Sequence, residues 1–151
     1  MNIYDEFFAV IKKLNDAQIK YAVVGGIALS FYVEPRFTKD IDLLVLSEKV
    51  DDIKLILREM GYKFESPAWT FRNTPITLHR LSKIQGTESM TIDILEGKER
   101  RFEEIIQNAI KEDTKYGKVC VASKDDLIWM KQIRNSQQDI ADIEALNNVK
   151  D

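Results

Sequence analysis

The segment Asp40-Ile41-Asp42-Leu43-Leu44-Val45-Leu46 constrains the fold more than any other in this 151-residue chain. Alternate residues of an extended strand project to opposite faces, with same-face neighbours roughly 6.7 Å apart. Ile41, Leu43 and Val45 occupy one face, and Leu44 and Leu46 follow the two acids on the other. Beyond its first turn such a strand is apolar on both sides and belongs inside a sheet with both faces covered. The expectation is an α/β domain in which Asp40 and Asp42 point the same way at the end of a buried strand.

The flanking sequence supplies the rest of the layers. Ile3, Phe7, Val10, Ile11 and Leu14 recur at helical spacing. Tyr21 to Val24 reads as a short buried strand, and Gly25-Gly26 turns the chain into an apolar helix from about Ile27 to Tyr32. Pro35 biases Glu34 away from helix, making 34–39 a loop before the strand that starts at Asp40. Ser47 is the expected N-cap of a helix through Met60, stopped at Gly61. Further strands are expected at Tyr62 to Glu65, Ile76 to Leu81 and Met90 to Leu95, with Ser66 to Asn73 either an aromatic loop or more sheet. Lys98 to Ile110 reads as helix, and Thr114 to Val121 as a hairpin or strand. Ser123 and Ser136 each begin a capping-box pattern, before helices Leu127 to Arg134 and Ile140 to Asn147. The whole is one domain over 1–151, a mixed β-sheet flanked by helices, with a core to about 122 and C-terminal helices at about 123–148.

Composition excludes several classes. With 44% hydrophobic and 31% charged residues the chain is neither disordered nor membrane-spanning in character. No apolar run approaches the ~20 residues of a membrane helix, and the opening residues lack the basic flank of a secretory signal. A cytoplasmic location is expected. A net charge of -3 argues against whole-surface nucleic-acid binding. Cys120, the single cysteine, lies between Val119 and Val121 and reads as buried filler in a reducing compartment.

The chemistry concentrates in the acids. Two carboxylates at the edge of a low-dielectric core repel one another, and a raised pKa or a bound cation must relieve the repulsion. Asp93 likewise interrupts an apolar strand, Thr91-Ile92-Asp93-Ile94-Leu95. If the two strands are neighbours, three oxygen ligands converge in a set that suits Mg2+ held by carboxylates and substrate phosphates. Two such ions can serve an in-line phosphoryl displacement. Gly25-Gly26 makes a tight turn in any case. Glycines there also let the backbone approach a triphosphate, and the following helix start favours anions. No Gly-Lys-Ser/Thr follows, so this is not a P-loop, and a dinucleotide fingerprint lacks its third glycine.

The motifs Val24-Gly25-Gly26-Ile27-Ala28, Arg36-Phe37-Thr38-Lys39-Asp40-Ile41-Asp42-Leu43 and Ile92-Asp93-Ile94 resemble those of the polymerase beta-like nucleotidyltransferase superfamily. The Arg-x-Thr-x-Asp-x-Asp form and small size most resemble its AbiEii-like, minimal nucleotidyltransferase branch, which includes toxin-antitoxin components. Lys124 to Leu127 and Lys131 through Asp142 look like that branch's closing helices. The resemblance implies the nucleotidyltransferase fold and transfer of a nucleoside monophosphate from a nucleoside triphosphate, with release of pyrophosphate. It further implies Asp40, Asp42 and Asp93 as catalytic metal ligands for Mg2+, two ions with Mn2+ as a substitute, Asp93 also helping to deprotonate the acceptor. Gly25 and Gly26 would cradle the triphosphate. Gly26 stands where the family often has Ser, so backbone amides serve alone.

Arg36 and Lys131 are candidate phosphate contacts, a fork and a point charge, against the reading of solvated surface cations. Thr38 joins them as a candidate nucleotide contact but reads first as a loop hydroxyl. Asp139 is the capping acid of Ser136, and Asp142 shares its helix face and can join a polar cluster with Lys131 or Arg134. His79 is read as an ordinary strand residue, Trp69 and Phe71 as core or loop aromatics that can also stack on a base, and Trp129 as core. The acceptor stays open: RNA, a protein hydroxyl or a small molecule. Two further readings remain, a catalytically inactive or partner-controlled member acting in a toxin-antitoxin or regulatory pair, and an unrelated metal-dependent hydrolase.

Overall fold

The computed structural model describes residues 1–34 and 38–149. Its helices are α1 (Ile3–Asp16), α2 (Gly25–Leu29), α3 (Val50–Glu59), α4 (Arg100–Gln107), α5 (Lys124–Arg134) and α6 (Gln137–Asn147). Its strands are β1 (Tyr21–Val24), β2 (Asp40–Val45), β3 (Phe64–Glu65), β4 (Trp69–Thr70), β5 (Thr77–Gln85), β6 (Glu88–Glu96), β7 (Ile110–Thr114) and β8 (Gly117–Val121). They form one mixed sheet in the order β3-β5-β6-β2-β1-β8-β7, and β4 also pairs with β5. β2 lies between antiparallel β1 and parallel β6, the interior position its two-sided apolarity demands.

Ile41, Leu43, Leu44 and Val45 are fully buried, each stabilising the fold by about 1.5–3 kcal/mol relative to exposure. Around them packs a single cluster that draws Phe7 and Leu14 from α1, Ile53 and Leu57 from α3, and Phe102 and Ile105 from α4. Leu127 of α5 and Leu146 of α6 belong to the same cluster. Asn2 caps α1 by accepting from the amides of Tyr4 and Asp5 at 2.9 and 3.2 Å, and Phe7, Val10, Ile11 and Leu14 form its buried stripe as their spacing predicts.

Several local expectations are corrected. Ser47 does not cap a helix: residues 47–49 form a 3-10 turn leading into α3, and neither start carries a side-chain cap. The Ser47 hydroxyl is buried without a hydrogen-bond partner among the described residues. α2 begins at Gly25 and ends at Leu29 rather than running to Tyr32. Tyr62 is fully buried core, leaving only Phe64 and Glu65 to pair with β5. The 66–73 segment continues the sheet through Trp69↔Leu78 and Thr70↔Thr77. β5 and β6 extend past their expected ends because Gly86, with φ of +62°, closes a two-residue hairpin between Gln85 and Glu88, the positive φ that such turns require. The helix expected over 98–110 stops at Gln107, and Ile110 starts the β7–β8 hairpin. Arg36 lies outside the described residues.

Candidate active site

The parallel register of β2 and β6 places Asp40 beside Thr91 and Asp42 beside Asp93. These acids line a cleft of about 440 Å³ whose wall also includes Gly25, Gly26 and Arg80. Val24 pairs with Asp42 across β1 and β2, so the turn leaving β1 passes directly beside the Asp42 carboxylate. A Cβ at Gly25 would lie 2.1 Å from Asp42 Oδ2, and its φ is +71°. Only glycine meets both conditions. α2 is a single five-residue turn, so any anion attraction here rests on individual backbone amides rather than on a helix dipole. Thr38 lines the cleft, while its hydroxyl donates to the Asp40 carbonyl at 3.3 Å.

The acids burden one another. Burial, then the charges of Asp93 and Asp40, push the Asp42 carboxyl up to about 7, with Arg134 partly offsetting them. Asp40 is raised in the same direction by burial and then by Asp93, against Arg80 and Lys39. Asp93 is buried and receives a fork from Arg80: Nε donates to Oδ1 at 2.7 Å and Nη2 to Oδ2 at 2.9 Å. That hydrogen bonding holds the Arg80 guanidinium still more firmly protonated.

This donor set suits a hard divalent cation, since a positive ion beside Asp40 and Asp42 offsets both the burial and the Asp93 charge that raise them. Asp93 is already engaged by Arg80, and among the described residues no three acid, histidine or cysteine side chains form a ready ligand cluster.

The opposite wall comes from α5 and α6. Asn135 adopts the left-handed conformation at the end of α5, and Ser136 and Asp139 close a complete capping box on α6. The resulting hairpin faces Lys131 with Asp142 at 2.9 Å and Asp139 at 3.9 Å, while Gln138 donates to the other Asp142 oxygen at 2.9 Å. Lys131 therefore lines the cleft with its charge already balanced. Arg134 approaches Asp139 at 3.7 Å and lies over the Phe71 ring at 5.2 Å. The Ser123 pattern is only half a box: its hydroxyl accepts from the Asp126 amide, but the Asp126 carboxylate binds Arg101.

Trp69 and Phe71 also line the cleft. His79 pairs instead with Glu96 outside that lining. Cys120 is partly rather than fully buried, and Trp129 packs edge-on to Phe102 at 5.6 Å. Arg80 escaped the sequence reading, although counting back along β5 and β6 from the Gly86 turn sets it opposite Asp93.

A mixed sheet with a glycine turn beside acids on adjacent strands is the nucleotidyltransferase fold, and solved structures share it. The antibiotic-resistance factor ANT(2'')-Ia in solution aligns with a TM-score of 0.60 at 13% identity, over 97% of this chain and 84% of its own. The crystal structure of ANT(2'')-Ia in complex with adenylyl-2''-tobramycin gives 0.56 at 15% identity, covering 91% of this chain and 83% of that one. A protein of Thermotoga maritima assigned as a nucleotidyltransferase gives 0.53 at 20%, covering 97% and 93%. No curated protein matches the chain in sequence. Residues 2–150 match the model of the family "nucleotidyltransferase of unknown function" (DUF6036), and the chain belongs to that family. No helix among the described residues is long and apolar enough to cross a membrane.

Proposed function

We propose that the protein transfers a nucleoside monophosphate from a nucleoside triphosphate to a hydroxyl-bearing acceptor, releasing pyrophosphate, with Mg2+ as cofactor, as two ions, and Mn2+ as a substitute. The observation that carries this reading is the alignment of Asp42 with Asp93 on adjacent strands, with the Gly25 backbone against the same carboxylate. Asp40, Asp42 and one oxygen of Asp93 would hold the cation, which would supply electrostatic stabilisation to the phosphoryl oxygens. Gly25 and Gly26 let the triphosphate approach the backbone. Asp93 orients the acceptor hydroxyl and takes its proton. Arg134 and Lys131 on the facing wall, with Thr38 near the entry to β2, steady the anionic donor, and Arg36, outside the described residues, is a further candidate for that contact. A nucleoside triphosphate donor agrees with a cytoplasmic location.

Calorimetry should detect Mg2+-dependent triphosphate binding that Asp42→Asn abolishes; equal binding by both proteins removes the basis of the proposal. Lysates supplied with each labelled triphosphate, wild type against Asp40→Asn, then reveal the acceptor among RNA, protein and small molecules. Because ANT(2'')-Ia is crystallised with adenylyl-2''-tobramycin, aminoglycosides are the first small molecules to try.

One observation favours a second reading. Asp93 is engaged by Arg80 and Lys131 by Asp142, a self-satisfied arrangement suited to an idle fold that acts through a partner, as in an AbiEii-like toxin-antitoxin or regulatory pair. Co-purification with a partner, without labelling of any lysate component, supports that reading. Metal-dependent labelling lost in Asp40→Asn eliminates it.

A further inference from the structure

We propose that Arg80 is a displaceable latch on the acid cluster: it occupies both oxygens of Asp93 while no cation is bound, and it must release at least one of them when a divalent cation enters. This rests on the metal-dependent reading above.

The geometry of the bridge supplies the first argument. Arg80 Nε and Nη2 contact different oxygens of Asp93, at 2.7 and 2.9 Å, so neither oxygen is left to a cation without competition from a positive charge. The cross-strand register sets the two residues directly opposite, which makes the fork the resting arrangement.

Unequal burial supplies the second. The Asp93 side chain is 4% exposed and that of Arg80 37%. A buried carboxylate stays where its strand puts it and always needs a counter-charge. The half-exposed guanidinium can leave without opening the core. A divalent cation replaces the compensation that Arg80 gives up, so the exchange swaps one positive partner for another.

A landing place for the released head group is the third. The Arg80 guanidinium already lies 5.3 Å from the centre of the Trp69 ring, whose face attracts a cation through its quadrupole. Both residues line the cleft. An arginine swung off Asp93 along this ring remains beside the space where triphosphate oxygens would lie, and meets them as a fork.

The latch predicts a gain of function that a merely structural bridge does not. Mn2+ binding to the full chain, titrated by electron paramagnetic resonance without nucleotide, should tighten about tenfold in Arg80→Gln, as expected when one nearby positive charge is removed from a partly buried site. Arg80→Lys, which keeps the charge but loses the fork, should tighten binding by a smaller factor, and it reports on the latch if Arg80→Gln does not fold. A second readout uses Trp129→Phe, which leaves Trp69 as the sole tryptophan. Mg2+ should shift its emission when Arg80 is present and not when it is Gln. Unchanged or weaker Mn2+ binding in both variants, with wild-type binding still abolished by Asp42→Asn, overturns the latch and leaves the metal reading standing. If wild type and Arg80→Gln both lack Mn2+ binding sensitive to Asp42→Asn, the metal reading falls and the latch with it.

Discussion

At position 42 the backbone of one strand and the charge of another press on the same carboxylate. Gly25 leaves it room, while burial, and then the charges of Asp93 and Asp40, disfavour its ionisation. An acid raised in the folded state keeps its proton after the unfolded chain has lost it. The stabilisation is therefore complete below pH about 4 and lost as pH rises through the folded value, here about 7. Thermal melts across this window should show wild type losing stability toward neutrality. Asp42→Asn should flatten that slope and melt a few degrees higher near pH 8, whereas an unchanged slope would mean that Asp42 is not the titrating group. Saturating Mg2+ should flatten the wild-type slope as well. The shared face of Asp40 and Asp42 was legible because strand parity alone sets it. The partner of Asp93 was not, because register depends on which residues close the turn, here at Gly86.

The α5–α6 hairpin shows what capping chemistry does for a site wall. Ser136 and Asp139 satisfy each other's backbone amides, and Asn135 takes the left-handed conformation that lets α5 stop and α6 reverse. Ser136→Ala should cost about 1 kcal/mol in urea denaturation. Lys131→Met should cost more, about 3 kcal/mol, because it removes a buried cation that faces both Asp142 and Asp139; a loss no larger than that of Ser136→Ala would show that the other partners of these carboxylates suffice. The Ser136 box could be read from sequence because all its partners lie within one turn. The Ser123 box was overstated for the complementary reason: the Asp126 carboxylate goes to Arg101 on α4, a tertiary competitor invisible to a local pattern. Ser47 failed as a cap because the chain enters α3 through a 3-10 turn.

Across the whole molecule the C-terminal helices are not an appendage. Leu127 and Leu146 share one buried cluster with Phe7 and the β2 residues. Calorimetry should therefore give a single transition with equal calorimetric and van't Hoff enthalpies, and a chain cut after residue 122 should lose cooperative unfolding. Two resolved transitions in the 151-residue chain would instead divide it into core and helical units. The α/β class with a mixed sheet was legible from apolar periodicity, but the strand order was not, since the crossover that sets β6 beside β2 leaves no local trace. That crossover also gives the Arg80–Asp93 bridge a part in building the protein. The β5–β6 hairpin forms from sequence neighbours and carries Asp93 with its counter-charge attached, whereas pairing β6 with β2 is the distant and therefore slower event. A bare third acid would arrive at two others against their repulsion. Arg80 escorts it as a neutral pair, so the chain can assemble a nest of like charges before any ion reaches it.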